Sequence, residues 1–220
     1  ELADSLLSDE ASPAVLRRAV QRAEGNPLYL EETARMVLEG DGAQPADGIP
    51  DTLQTLIAAR IDLLDAGAKR TLQAAAVIGR VFWHGALEQL VGAEVEPALE
   101  VLRARELIVD EERSVLAGDR AFRFGHGLIR DVAYGTVTKS ERADLHRAFA
   151  AWVAGRGSDD AIAIRAYHLD RAATLLAELD ARDASVDAEA AAALEEAGER
   201  ALRASGFSAA RRLLLRADTL

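Results

Sequence analysis

The 220-residue sequence contains no cysteine. This absence excludes a disulfide framework, a thiol nucleophile and every zinc site that depends on cysteine ligands. No apolar run approaches the ~20 residues that a membrane helix needs, and the first ten residues do not resemble a secretory signal peptide. We therefore expect a cytoplasmic protein that makes no contact with a membrane.

Lysine is almost absent as well, although the chain carries 26 basic residues against 37 acidic ones and a net charge of −11. A Walker A phosphate loop needs Gly-Lys-Ser/Thr at the end of a glycine-bounded turn. Lys69 follows an alanine and Lys139 follows a threonine, so neither fits this pattern. The chain cannot hold a triphosphate on its own, and we do not expect it to be an enzyme.

Motifs for metal binding and hydrolysis are also missing. The histidines never occur four residues apart, no HExxH is present, and no GxSxG nucleophile elbow is present. We therefore predict neither metal ligands nor catalytic residues. Acidic pairs such as Glu31-Glu32 and Glu195-Glu196 are interpreted as solvated helix faces, because adjacent residues of a helix do not share a face.

Alanine, the strongest helix former, makes up about a fifth of the residues. We therefore predict a mainly α fold in three parts. Residues 1–48 form a helical lid, residues 49–136 form a winged helix-turn-helix domain with a small β-hairpin, and residues 137–220 form a helical linker and the start of an α-solenoid.

The lid is predicted from two helix start signals, Ser12-Pro13 and Asn26-Pro27, in which a capping residue precedes a proline at the first helical position. Gly25 ends the first of these helices. Residues 41–50 are rich in glycine, aspartate and proline, which is typical of an exposed loop. We predict that this loop is a hinge.

The winged helix is predicted from a change of periodicity. Helical spacing begins at Asp51 or Thr52, begins again after Asp65, and continues at residues 83–90 and 94–105. Two short β-like runs then follow, at residues 107–109 and 121–124. Helices followed by a two-stranded hairpin are the element order of a winged helix-turn-helix.

Residues 159–220 contain successive helical segments in which Phe207 precedes Ala209 and Ala210, a pattern similar to tetratricopeptide repeats. No capping repeat follows the last helix, and an uncapped solenoid end exposes apolar surface. We therefore expect the chain to be a fragment of a longer protein.

A winged helix suggests DNA binding, but the charge of the helix that would enter the major groove argues against it. Residues 94–106 carry four glutamates and two arginines, a net charge of 2 − 4 = −2. Duplex DNA repels such a helix, because affinity for DNA depends largely on cationic contacts. Direct DNA binding by this chain is therefore not expected.

Two segments resemble a known family. Residues 22–32, RAEGNPLYLEE, resemble the RAEGNPLFLEE segment of bacterial STAND-class signalling ATPases, AAA-related proteins that precede LuxR-type DNA-binding domains or accompany class III adenylate cyclase domains. Residues 122–134, FRFGHGLIRDVAY, are similar to that family's FRFRHALLREALY block. Residues 49–62 and 72–80 match the intervening pattern, so the resemblance covers most of the chain.

The resemblance implies a nucleotide-proximal site in the lid. In that family the proline of the Gly-x-Pro element packs near the adenine, which makes Gly25, Asn26 and Pro27 candidate nucleotide-binding residues. The alternative is ordinary helix punctuation, with Gly25 as a C-cap and Asn26-Pro27 as an N-cap and first helical residue. The two interpretations are compatible.

The second segment resembles the MHD element of plant and animal relatives, in which a winged-helix histidine reaches the β-phosphate of ADP. This resemblance implies that His126 is a phosphate contact, and its imidazole can donate to phosphate oxygens. Gly127 stands where those relatives have aspartate. The alternative for His126 is a buried structural histidine.

The family's phosphate loop lies upstream of the matched region, so ATP or ADP would bind only in the full-length parent and no cofactor is expected in this chain. The implied partners are the upstream ATPase core and a protein or small-molecule inducer at the solenoid. ADP would hold lid and winged helix against the core until ATP exchange or the inducer releases them. The alternatives are a protein-interaction scaffold without a nucleotide role and a winged-helix DNA-binding module.

Overall fold

The computed structural model describes residues 20, 21, 23, 25–39, 52–92, 94–112, 118–156 and 159–220. Within these ranges the chain is mainly helical, as predicted, with ten helices and one small antiparallel sheet. None of these helices is both long and apolar enough to cross a lipid bilayer. The helix start at Ser12-Pro13 and the hinge at residues 41–50 lie outside the described residues.

The bounds of the elements are as follows. The helices are α1 (Pro27–Glu39), α2 (Leu53–Asp62), α3 (Ala66–Ile78), α4 (His84–Val91), α5 (Glu96–Ala104), α6 (Gly127–Gly135), α7 (Lys139–Ala154), α8 (Asp159–Glu178), α9 (Ala184–Arg203) and α10 (Phe207–Ala217). The strands are β1 (Val81–Trp83), β2 (Ile108–Glu111) and β3 (Ala121–Phe124).

Side-chain caps set the first residues of α2 and α3. The Thr52 hydroxyl accepts from the Thr55 backbone N–H, and the Thr55 side chain accepts in return from the Thr52 N–H. The Asp65 carboxylate accepts from the backbone N–H groups of Gly67 and Ala68, at 2.8 and 2.9 Å. Both helix starts are those predicted, because each cap satisfies N–H groups that the helix itself leaves unpaired.

The predicted hairpin is present, since β2 and β3 pair antiparallel. A third strand that the sequence did not predict, β1, extends the hairpin to a sheet in the order β1-β3-β2. Strand β1 pairs with β3, with Phe82 opposite Phe122, and the two buried rings stack 5.9 Å apart. Trp83 ends this strand and precedes α4, whereas a helix was predicted to begin there. The order from α3 to β3 is that of a winged helix-turn-helix.

The main core lies between the sheet and helices α3–α6, and α7 contributes to it. Phe149 and Val153 of α7 are fully buried in this core. Trp83 stacks on Phe149 at 6.1 Å and on Trp152 at 6.2 Å. Helix α7, which follows the predicted boundary at residue 136, therefore packs directly on the winged helix.

Helices α7 to α10 pack each on the next, and their shared core is built mainly from alanine. Small residues let the helix axes approach closely. At the crossing of α9 and α10, a Cβ on Gly198 would lie 2.8 Å from the Leu214 side chain. Consecutive packing of helices through small residues is the arrangement predicted for this part of the chain.

Candidate functional site

A cleft of about 400 Å³ opens where β1 begins, β3 ends and α6 starts. Its basic residues are the arginines Arg80, Arg123 and Arg130, with the imidazole of His126 beside them, and none of the described residues that line it is acidic. A helix N-terminus adds a partial positive charge to such a site. The composition of the cleft therefore favours an anion.

His126 is the N-cap of α6 and is exposed, so the interpretation as a buried structural histidine is wrong. Its Nδ1 accepts a hydrogen bond from the backbone N–H of Leu128, at 3.2 Å. Because Nδ1 is the acceptor, the proton of the neutral ring sits on Nε2. The side chain thus offers an N–H donor at the edge of the cleft.

The three arginines of the cleft differ in how far they are neutralised. Arg80 makes no hydrogen bond or ion pair with any residue that the structure describes. Arg123 lies 3.5 Å from the Glu111 carboxylate, and Arg130 pairs with Asp131 at 3.3 Å. A Cβ on Gly127 would lie 3.8 Å from Arg80 Nη2, which places the Arg80 guanidinium beside the start of α6.

The other predicted site residues form the exposed corner that precedes α1. Gly25 has a φ of +84°, a left-handed conformation that favours glycine. The Asn26 side chain accepts from the backbone N–H of Leu28 at 3.1 Å, which is the cap predicted for a helix beginning at Pro27. Among the described residues, no hydrogen bond or ion pair joins this corner to His126 directly.

A buried ion pair connects the lid to the winged helix. Arg60 of α2 is 0% exposed and Glu32 of α1 is 1% exposed, and the Arg60 Nη1 donates to the Glu32 carboxylate. Arg35 donates to the second carboxylate oxygen of Glu32 at 3.0 Å. Tyr29 and other apolar residues of the lid pack on Leu56 of α2 beside this pair. The lid helix and α2 therefore share one core.

The interpretation of Glu31-Glu32 as a solvated face is wrong for Glu32. Only Glu31 is partly exposed, since α1 turns Glu32 toward α2. The partner that makes burial possible, Arg60, lies 28 residues further along the chain. No local pattern reveals such a pair, because a carboxylate is buried only where a cation meets it in the folded chain.

A second buried polar network, also not predicted, lies where α6, α7 and α8 meet. The Nδ1 atoms of His146 and His168 are 2.7 Å apart, and the Tyr134 hydroxyl lies 3.4 Å from His146 Nε2. Arg171 hydrogen-bonds the Tyr134 hydroxyl, and the remaining ring nitrogen of His168 bonds to the Ile78 carbonyl.

These partners fix the proton positions in the network. His168 donates to a carbonyl through one ring nitrogen, so its Nδ1 accepts from His146 Nδ1, whose ring then accepts from Tyr134. Burial, and secondarily the charge on His168, lowers the pKa of His146 to about 2. Burial, and secondarily Arg130, lowers the pKa of His168 to about 3. Both rings are neutral at physiological pH.

Comparison of the chain with protein-family models, with curated proteins and with solved structures finds no match. The assignment to the STAND-class signalling ATPases therefore stays a prediction that rests on the two sequence segments around Gly25 and His126.

Proposed function

We propose that this chain is a non-catalytic regulatory region of a cytoplasmic STAND-type signalling protein that is switched by ATP and ADP. A LuxR-type transcriptional regulator is the parent that the sequence favours. The observation that carries the proposal is the exposed His126 N–H in a cleft lined by three arginines. This is the donor set that a phosphate group requires.

The residues of the cleft fit the phosphate end of a nucleotide held by an upstream ATPase core. His126 would donate from Nε2, and Arg80 would supply the positive charge that no described carboxylate neutralises. The exposed corner at Gly25, Asn26 and Pro27 would face the base. The chain would respond to the bound nucleotide by a population shift between two packings. In one, lid and winged helix are docked on the ATPase core, and in the other they are released from it.

Binding of ADP to the chain joined to its upstream core tests the proposal. We expect His126→Ala to weaken ADP binding about ten- to hundredfold, the range for a hydrogen bond to a charged group, and Pro27→Ala to weaken it less. His84→Ala is the matched control, because His84 pairs with Glu88 and Glu96 away from the cleft. Unchanged ADP affinity in both the His126 and Pro27 variants would refute the proposed sites.

A second candidate function is a protein-interaction scaffold, and one observation favours it. Phe207 is 70% exposed and Leu215 is 56% exposed, both on α10. Large apolar side chains that a helix leaves exposed are available for contact with a protein partner. The scaffold predicts that residues 159–220 alone retain the partner, whereas a switch region needs the ATPase core, so a pull-down with that segment separates the two candidates.

A further inference from the structure

The turn between α5 and β2, residues 105–107, contacts on one side the two arginines that hold Glu32 of the lid. Arg60 Nη2 donates to the Arg105 carbonyl at 2.7 Å. Arg35 of the lid pairs with the Glu106 carboxylate. The same two arginines hold Glu32, so this turn, which we call the 105–107 turn, is connected to the lid through buried and half-buried cations.

The same turn touches the residue before His126 on its other side. The backbone N–H of Gly125 donates to the Leu107 carbonyl at 3.0 Å. A Cβ added to Gly125 would lie 2.5 Å from the Glu106 carbonyl oxygen, closer than any unstrained contact. Gly125 is therefore required here for space, because the backbone of the 105–107 turn occupies the position of a side chain.

The backbone of the turn is itself in an uncommon conformation. Glu106 has a φ of +54°, a left-handed value that residues other than glycine rarely adopt. Such residues persist where the surrounding contacts determine their conformation. Here the contacts come from two sources, the arginines that hold Glu32 (Arg35 and Arg60) and the Gly125 backbone, so a change at either source acts on the same few atoms.

The buried pair makes lid position and turn position interdependent. If the lid leaves α2, the Glu32 carboxylate leaves with it, and Arg60 Nη1 loses the acceptor that holds it in this position. Arg35 leaves as well, so its ion pair with Glu106 is broken. Departure of the lid therefore changes contacts on which the conformation of the 105–107 turn depends.

We propose that Arg60, through Glu32 and the 105–107 turn, positions His126, so that docking of the lid and the phosphate contact of His126 favour each other. The inference rests on the proposed function only for the role of His126. The coupling itself belongs to this chain without nucleotide. Coupling between two sites is reciprocal, so each end can be changed while the other is measured.

The first measurement changes Gly125, the residue before His126, and follows hydrogen exchange in the lid helix α1. In Gly125→Ala the added methyl group displaces the 105–107 turn, and we expect hydrogen exchange of the α1 amides to become about tenfold faster. Gly135→Ala is the matched control, because a Cβ there meets nothing within 4 Å. We expect α1 exchange in that variant to stay at the wild-type rate.

The second measurement changes the buried pair of Arg60 and Glu32 and follows the NMR resonances of His126. In Arg60→Met and in Glu32→Gln we expect the imidazole resonances of His126 and the amide resonances around it to shift in NMR spectra of the whole chain. Lys69→Met is the control, since Lys69 forms a half-exposed pair with Asp62 near the same helix end. Glu32→Gln keeps the shape and an acceptor oxygen, so it remains informative if Arg60→Met does not fold.

Two results overturn the proposal. One is wild-type exchange of α1 in a folded Gly125→Ala chain whose His126 amides exchange faster. The other is an unshifted His126 resonance in folded Glu32→Gln. Both measurements are made without nucleotide, so they are distinct from a failure of the proposed function, which would appear as ADP affinity that does not depend on His126.

Discussion

Arg80 is the arginine of the cleft whose charge is least offset by its neighbours. Its neighbours Arg123 and Arg130 each lie beside a carboxylate, whereas no described residue pairs with Arg80. A single arginine forms no sequence pattern that predicts a binding site. Arg80 becomes a candidate only because the fold brings it beside His126 and the start of α6.

We expect Arg80→Gln to lower the affinity of the chain for inorganic pyrophosphate about tenfold at low salt, because a charge-assisted hydrogen bond is lost. Isothermal titration calorimetry measures this. Arg123→Gln is the comparison, and its effect should be smaller because Glu111 already offsets that charge. Equal losses in the two variants would mean that the cleft acts only through its average charge.

The buried histidines predict a dependence of stability on pH. Burial holds the pKa of His146 at about 2 and that of His168 at about 3, against 6.5 in an unfolded chain. The unfolded state therefore binds more protons than the folded state below pH 6.5, so stability is fully present above that pH and is lost as the pH falls.

Between pH 7 and pH 5 we expect the free energy of unfolding to fall by about 2 kcal/mol for each of the two histidines. Urea unfolding at both pH values measures the change. A His146→Leu, His168→Leu double variant that still folds should lose most of this dependence. Equal stability of the wild-type chain at pH 7 and pH 5 would show that the histidines are not held neutral.

Among the elements, α9 and α10 depend on a single glycine for their close crossing. A Cβ on Gly198 would lie 2.8 Å from both Cγ and Cδ2 of Leu214, so the leucine as a whole would have to move. Alanine favours the helix over glycine by about 1 kcal/mol, whereas overpacking costs about 1–3 kcal/mol. The steric cost therefore outweighs the gain in helix propensity.

We expect Gly198→Ala to lower the free energy of unfolding by about 1 kcal/mol in urea titrations. In a Leu214→Ala background the same substitution should become stabilising, since the obstacle is gone. Gly155→Ala, where a Cβ meets nothing within 4 Å, is the control. A stabilising effect of Gly198→Ala in the wild-type background would show that Leu214 moves at little cost.

Elements with a local chemical signal could be predicted from the sequence. Thr52, Asp65 and Asn26 cap helices because a short polar side chain reaches the next N–H groups. Strand β3 has the predicted bounds, and its apolar residues are buried while Arg123 is exposed. Strand β1 has three residues, which is too short to establish a period, and its pairing depends on a strand forty residues away.

The candidate site could be predicted only in part for the same reason. His126 and the corner at Gly25 stand in segments with a recognisable pattern, but the arginines of the cleft are assembled by the fold. The pair of Glu32 with Arg60 and that of His146 with His168 join residues 28 and 22 positions apart. Burial of such groups depends on tertiary contacts, which leave no periodic trace in the sequence.

At the scale of the whole molecule, the winged helix presents the wrong charge for duplex DNA. Glu94 and Glu100 are exposed around α5. Glu96 is held ionised by its hydrogen bond to Arg120, which lowers the pKa of that carboxyl. The Arg120 guanidinium beside α5 is thus already paired with a carboxylate of that helix.

We therefore expect no mobility shift of duplex DNA by this chain even at low salt, where electrostatic binding is strongest. Glu94→Lys and Glu100→Lys together should create weak, salt-sensitive binding if charge alone is the obstacle. A shift by the wild-type chain that weakens with added salt would support the DNA-binding module instead.

The burial of α7 against Trp83 has a consequence for where the chain can be divided. Phe149 and Val153 fill the core of the winged helix, and the same helix also packs on α8. A chimera that is joined at residue 136 would replace α7 and so remove part of the core around the sheet. An exchange of the C-terminal helices that keeps this core has to be made after α7.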